Sequence, residues 1–336
     1  MNALRWHAEP AVSVVVPVYN PGPYLAPLLA SLREQSEPSL QIVVVNDGST
    51  DGSLAILQEA AARDPRLTVV SQPNRGFSAT RNAGMDHARG RWVAFADADD
   101  WLDPRTLQTW RERGERDDLE VVFGNGFRFA HDQVASAADR SDRVVHHPPP
   151  AGTFTGADWI EQSVARSQWL HYVWLQLIRR DVLLREGFRF DESIVHEDVL
   201  WSMQLGLRCR RIGFVADPMY GYRNHPASFV HNRTPQMLLE RARSYLVIMH
   251  RLMSAADERC AERGLYRALI RHAHREGRNF LALMKRGVLA APLQHDLAAE
   301  FIRLGLDRVM LEGAEDAKSL WRAVRSRVRL RWLAAR

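Results

Sequence analysis

Read from the N-terminus, the chain alternates short apolar runs with segments of helical period. VSVVVPVY (12–19) is β-branched and almost continuously apolar, the pattern of a strand buried on both faces. Residues 23–35 have the spacing of a helix, and QIVVVND (41–47) is a second strand. STDGSLAILQEAAAR (49–63) opens on capping residues and continues at helical period. LTVVSQ (67–72) is a third strand, 77–88 a third helix and RWVAFAD (91–97) a fourth strand. Strands separated by helices in this way predict a mostly parallel α/β sheet with right-handed crossovers.

Beyond residue 100 the pattern loosens. EVVFGN (120–125) reads as a strand and the polar stretch 130–152 as a loop or hairpin. Helices are expected at 156–165, 173–186 and 197–208, and a strand at RIGFVAD (211–217). From about 235 every segment reads helical. The expected organisation is therefore an α/β domain over 1–234 and an all-helical extension over 235–336.

Charge sharpens that division. The formal net charge is +5, yet residues 235–336 hold 20 Lys/Arg against 11 Asp/Glu, leaving 25 against 29 in the rest. The basic surplus thus belongs to the extension and points to an anionic partner there. The N-terminus has no apolar core of a signal peptide, and no apolar run approaches about 20 residues. Cys209 and Cys260 lack metal-type spacing and read as reduced thiols. A cytoplasmic location is expected, with peripheral contact at the inner face of the cell membrane.

The sharpest feature is AFADADDWLDP (94–104), where an apolar strand ends in Asp97, Asp99 and Asp100. Carboxylates this close repel and raise each other's pKa. Asp103 before Pro104 reads as a helix N-cap and first helical residue, which leaves the other three unexplained. Ligands of open α/β sheets sit beyond the carboxyl ends of the strands. A divalent cation there would offset the repulsion, taking its remaining ligands from water and phosphate. Neighbouring strand ends supply Tyr19 as a flat face, Asp47 as an acid, and Asn74, Arg81 and Asn82 from the segment after the third strand. Together these suit a nucleotide diphosphate. Asp47 also fits an Asx turn at Gly48, and Asn82 and Gly84 fit a purely structural role. No G-x-G-x-x-G follows the first strand, no G-x-x-x-x-G-K-[ST] is present, and HEDVL departs from H-E-x-x-H at Leu200. His272 and His274, two apart on a helix, are read as surface residues.

VSVVVPVYN, VVVNDGSTDGS, NRGFSATRNAG and FADADDWL resemble, in order and spacing, the N-terminal half of the family 2 glycosyltransferases of GT-A fold. GFRFDESIVHEDVLW (187–201) resembles that family's later acidic motif, so the likeness spans about 11–230. It implies a nucleotide-sugar donor, UDP- or dTDP-linked, and a Mn²⁺ or Mg²⁺ cofactor. Pro17 and Tyr19 would flank the base, Asp47 would pair with it, and Asn74 would contribute to the donor site. Asp97 would contact the ribose, Asp99 would hold the metal on the diphosphate, and Arg81 would lie near base or phosphates. YGYRNHPASFVHN (220–232) resembles the family's closing segment, which implies Arg223, His225 and Ser228 as candidates for the diphosphate and His225 as a further metal ligand; the alternative is a plain loop histidine.

Glu197 and Asp198 open a helix, where carboxylates are favoured electrostatically in any case. The resemblance adds a role: Asp198 as general base and Glu197 as its supporting carboxylate, in an inverting single displacement. The implied acceptor is a glycan or lipid-linked hydroxyl, in bacterial surface polysaccharide or lipopolysaccharide assembly. A non-catalytic nucleotide-sugar-binding or scaffold protein on the same fold is the alternative, and the intact Asp97, Asp99 and Asp198 weigh against it. A nucleic-acid partner is not expected, because the aromatic-plus-basic pattern of single-strand modules is missing.

KSLWRAVRSRVRLRWLAAR (318–336) has seven basic residues and no acid. Trp321, Val324, Val328 and Trp332 recur at helical spacing, with Arg322, Arg325, Arg329 and Arg336 assigned to the opposite side. This fits either a helix on an anionic membrane surface or a terminal helix docking its tryptophans on the protein's own core.

Overall fold

The computed structural model describes residues 9–133, 135, 137–226, 232–285 and 288–335. The N-terminal alternation forms as the apolar pattern predicts. Strands β1 (Val12–Val18), β2 (Leu40–Asp47), β3 (Leu67–Gln72) and β4 (Trp92–Phe95) pair in parallel in the order β3-β2-β1-β4. Every residue of β1 and β2 is buried, so nearly every position on both faces is apolar. Helices α1 (Leu25–Arg33), α2 (Ser53–Arg63) and α3 (Phe77–His87) make the crossovers. At Gly84 a Cβ would run into the side chain of Val15, so glycine is what lets α3 lie against β1.

The sheet then turns mixed. After the two-residue strand β5 (Trp101–Leu102) and α4 (Thr106–Arg116) come β6 (Val121–Ala130), β7 (Thr153–Phe154), α5 (Gly156–Ala165), β8 (Gln176–Arg179) and α6 (Arg180–Arg185). Helix α7 (Glu197–Arg208) and β9 (Ile212–Asn224) follow. Among the described residues the nine strands form one sheet, continuing from β4 through β8, β6 and β9 to β5, with β7 also on β9. Strand β8 is antiparallel to both β4 and β6, whereas β6 and β9 run parallel.

Two expectations are corrected here. The helix expected over 173–186 is a 3-10 turn (Val173–Leu175), then strand β8, then the short α6. A short apolar run buried at the sheet centre has no polar face to declare its period. Asp103 and Pro104 do not cap α4, which begins at Thr106. Asp103 instead accepts from the Arg105 amide at 2.9 Å and pairs with Arg140.

The chain divides into two compact units, and the division is not a single cut at residue 234. The first comprises residues 1–156, 171–192 and 204–226, and the second 157–170, 193–203 and 227–336. The second unit contains α8 (Pro235–Glu258), α9 (Arg263–Leu283), α10 (Ala291–Arg303), α11 (Asp307–Glu312) and α12 (Ala317–Ala334). The two inserted stretches belong to it through specific contacts. The Arg275 guanidinium donates to the Val164 carbonyl at 2.8 Å, Trp169 stacks on His272 at 4.1 Å, and the Val195 amide donates to Ser244 Oγ at 3.0 Å. His272 and His274 are buried, not surface residues, because α9 packs against α8 and α11. His274 Nδ1 bonds the Met310 carbonyl at 3.1 Å. Cys209 is buried and its thiol is pushed up to about 12 by that burial, while Cys260 is exposed; both are free. Among the described residues no helix is long and apolar enough to cross a membrane.

One position tests the packing of the first unit directly. A Cβ at Gly124 in β6 would meet the indole ring of the fully buried Trp110 on α4. Gly124→Ala is expected to destabilise by about 1–3 kcal/mol through overpacking, read as a lower urea midpoint. An unchanged midpoint would show that Trp110 can move aside.

Candidate functional site

The carboxyl ends of β1, β2 and β4 lie side by side, as the register pairs Val18 with Asn46 and Val15 with Phe95. Tyr19, next after β1, is 48% exposed, so its ring is open to stacking. Pro17 is buried within β1 opposite Val45. Asn74 is exposed on the segment after β3.

Asp47 is buried, and its carboxylate is already engaged. Oδ1 accepts from Gln72 Nε2 at 2.7 Å and from the Arg75 amide at 2.9 Å, and Oδ2 accepts from the Gly76 amide at 2.9 Å. It therefore ties the loop after β3 to the end of β2. The Asx-type contact weighed for Asp47 falls to Asn46, whose Oδ1 accepts from the Ser49 amide at 3.2 Å. Gly48 sits at φ +70°, and a side chain there would meet the Asn74 backbone. Asn82 also does structural work: it exchanges hydrogen bonds with the Phe190 backbone and donates to Glu192 Oε1 at 3.0 Å.

The three aspartates after β4 differ in environment. Asp97 pairs with the Arg81 guanidinium at 3.0 Å, and Arg81 is buried with its cation over the rings of Phe77 and Phe190. Asp99 meets His225 Nε2 through Oδ2 at 2.7 Å. Asp100 is fully buried; its Oδ2 accepts from the Tyr220 hydroxyl at 2.8 Å and its Oδ1 from the Arg223 amide at 2.9 Å. Burial first, then the charges of Asp99 and Asp97, holds the Asp100 carboxyl well above the usual range. The Tyr220 hydroxyl also accepts from the Asp97 amide at 3.1 Å, so one phenol joins two of the acids.

Arg223 is buried, and its guanidinium is spent on the backbone. It donates to the carbonyls of Asp99 at 2.8 Å, His131 at 3.1 Å and Gln133 at 3.3 Å, between the rings of Tyr24 at 5.0 Å and Phe129 at 4.5 Å. Burial lowers its pKa. Arg223 thus braces the acidic turn through the Asp99 carbonyl. His225 packs against Tyr24 with ring centroids 4.8 Å apart and planes tilted by 42°, and its Nδ1 has no hydrogen-bond partner among the described residues. Ser228 lies outside the described residues.

These residues fit a divalent cation in one respect. Asp99 and His225 offer a carboxylate oxygen and an imidazole nitrogen side by side, and Mg²⁺ or Mn²⁺ needs only one or two protein ligands when phosphates and water complete the shell. Among the described residues no group of three His, Cys, Asp or Glu is arranged as a complete cage.

Glu197 and Asp198 belong to the second unit. They open α7, with Asp198 Oδ1 accepting from the Val199 amide at 3.0 Å. His196 before them holds a left-handed φ of +63°. Its ring stacks on Tyr245 of α8 at 5.5 Å. Burial, then the charge of Glu276, pushes the Tyr245 hydroxyl up to about 12.

Tyr24, Tyr220 and the bracing role of Asp100 were not readable in the sequence. Each acquires meaning from a partner more than a hundred residues away, and only the density of acids in DADD pointed to the place. Tyr220→Phe should leave the Asp97 amide and Asp100 Oδ2 without their shared partner, at a cost of about 1–3 kcal/mol for each group. Chemical denaturation would register the loss. A variant as stable as the native chain would mean that the phenol does not hold the turn.

With the geometry in place, comparison with known proteins is informative. Residues 13–160 match the profile of glycosyl transferase family 2. The chain is 32% identical over 220 residues to the uncharacterized glycosyltransferase YibD of Escherichia coli K12, covering 65% of this chain and 62% of that protein. It is also 32% identical over 225 residues to the uncharacterized glycosyltransferase EpsJ of Bacillus subtilis, covering 65% and 62%. The chain thus spans less than two thirds of these relatives' length. In fold it is similar to S. aureus TarS 1–349, with a TM-score of 0.70 at 20% identity over 95% of this chain and 88% of that one. The same TarS fragment in complex with UDP-GlcNAc gives 0.67. Residues 13–160 are therefore similar to glycosyl transferase family 2, on a fold like that of TarS.

Proposed function

We propose that this chain is an inverting glycosyltransferase. Its donor is a UDP- or dTDP-linked sugar, and its acceptor a hydroxyl of a glycan or lipid-linked glycan in bacterial surface polysaccharide or lipopolysaccharide assembly. The observation that carries the reading is the acidic turn after β4. Asp97 and Asp99 remain partly exposed there, while Asp100 is buried and braced beneath them. A chain that needed only a turn has no use for two braced, solvent-facing carboxylates beside an open tyrosine ring. They suit the ribose and diphosphate of a nucleotide whose base stacks on Tyr19.

Arg81 and Arg223 act in this reading through the acids they hold, Arg81 by orienting Asp97 and Arg223 by fixing the Asp99 backbone. Asp47 shapes the base-side loop and keeps acceptor capacity for the base edge, because a carboxylate has about four lone-pair sites and three are used. A Mn²⁺ or Mg²⁺ ion held by Asp99 and His225 would neutralise charge on the departing diphosphate.

The role of Asp198 rests on its sequence motif. As general base it takes the proton of the acceptor hydroxyl while that oxygen bonds to the anomeric carbon. The bond from that carbon to the diphosphate oxygen breaks, the nucleoside diphosphate leaves with the electron pair, and the anomeric configuration inverts. Glu197 supports the base.

Two experiments test this. A thermal-shift panel of nucleotide sugars should find at least one UDP- or dTDP-sugar that raises Tm. The rise should be larger with Mn²⁺, and EDTA and Asp99→Ala should each remove the metal-dependent part. No response to any nucleotide sugar would overturn the reading. Asp198→Asn should retain donor affinity while transfer falls by about 10²-fold or more. Collapse of donor binding in that variant would make Asp198 a ligand contact or a structural residue.

A further inference from the structure

The last helix presents an apolar face that the rest of the described chain leaves exposed. In α12 only Ala323 and Leu330 are buried. Trp321 is 60% and Trp332 52% exposed, and Leu320, Val324 and Val328 are exposed with them. At 100° per residue these five fall within an arc of about 120°, and they run along roughly 18 Å of helix. The tryptophans are therefore only partly covered by their own unit, and their outer faces stay open.

The cations are placed differently from the sequence expectation. The side opposite the apolar stripe is the docking side, so the basic residues flank the stripe, apart from Arg331, which falls within its arc. Arg327 and Arg331 pair with Asp307 at 2.8 and 3.3 Å, and Arg329 donates to the Met284 carbonyl at 2.6 Å. Lys318, Arg322 and Arg325 are exposed along one border of the stripe. The Arg325 guanidinium lies over the Trp321 ring at 5.2 Å, a cation set at the edge of the apolar face. Arg336 lies outside the described residues.

We propose that this face of α12 docks on an anionic lipid bilayer, with the helix lying flat in the headgroup region. Half-exposed tryptophans bordered by cations match that environment on both counts: indole rings favour the interface, and Arg and Lys reach lipid phosphates. A second copy of the chain is a poorer occupant, because it would bring an identical basic border against this one. An acidic protein surface would satisfy the cations and leave the tryptophans without a purpose. The inference stands apart from the proposed activity, since vesicle binding is measured without donor or acceptor.

The full chain should co-sediment with phosphatidylcholine–phosphatidylglycerol vesicles and not with phosphatidylcholine alone, and added salt should weaken the binding. Trp321→Ala with Trp332→Ala, and separately Arg322→Ala with Arg325→Ala, should each lower vesicle partitioning by about tenfold or more. Both double variants should keep the native melting temperature, because all four side chains are exposed. Equal binding to both vesicle types would overturn the proposal, as would vesicle binding untouched by either double variant. So would an ultracentrifugation shift from dimer to monomer in the tryptophan variant with vesicle binding unchanged, which would assign the face to a second copy.

Discussion

Crowding of negative charge after β4 is the constraint on which the first unit turns. Three carboxylates within four residues repel one another, so each needs a cation or a hydrogen-bond donor to answer it. The fold meets this unevenly. Arg81 from α3 neutralises Asp97, the Arg223 amide and Tyr220 hydroxyl satisfy Asp100, and Asp99 is left facing His225. All the groups that answer Asp99 and Asp100 come from β9 or the residue after it, so the pairing of β9 with β5 and β6 is what completes the site. Burial of Asp100, and after it the charges of Asp99 and Asp97, disfavour its charged form.

The consequence for function is a division of labour among chemically similar residues. Arg81 and Arg223 look alike in sequence as phosphate-binding candidates. In the structure one is buried against a carboxylate and the other against carbonyl oxygens. Guanidinium groups fixed in this way preorganise the acids. Under the proposed function, donor recognition then falls to exposed groups such as Tyr19 and Asn74. Asp47 follows the same logic, holding the loop after β3 with three hydrogen bonds.

The sequence was most legible where physics is local. Strands β1 to β4 are largely apolar runs separated by segments of helical period, and that alternation predicts the parallel pairing. The acidic turn and Arg81 stood out by residue type and position, His225 through the family resemblance, and the fold brings them together in two pairs. Legibility failed where meaning is set by distant partners. Residues 173–186 were misread because a buried antiparallel strand and a buried helix share the same apolar composition. His272 and His274 were misread because a helix packed on two flanks hides residues two apart. Tyr24 and Tyr220 have no local signature, since each is defined by a contact across the sheet. The division between units was hidden for a similar reason: Ala157–Leu170 and Ser193–Met203 join the helical unit through contacts with distant residues, such as Trp169 on His272 and the Val195 amide to Ser244.

The central claim is that the acidic turn holds a nucleoside diphosphate together with a divalent cation through Asp99 and His225. Titration of Mn²⁺ followed by electron paramagnetic resonance, with UDP and protein added separately and together, tests it most directly. The account predicts loss of the free-ion signal beyond that caused by UDP alone when the native chain is present, and no such loss with Asp99→Ala. Equal signal loss with the native chain and with the variant would contradict it.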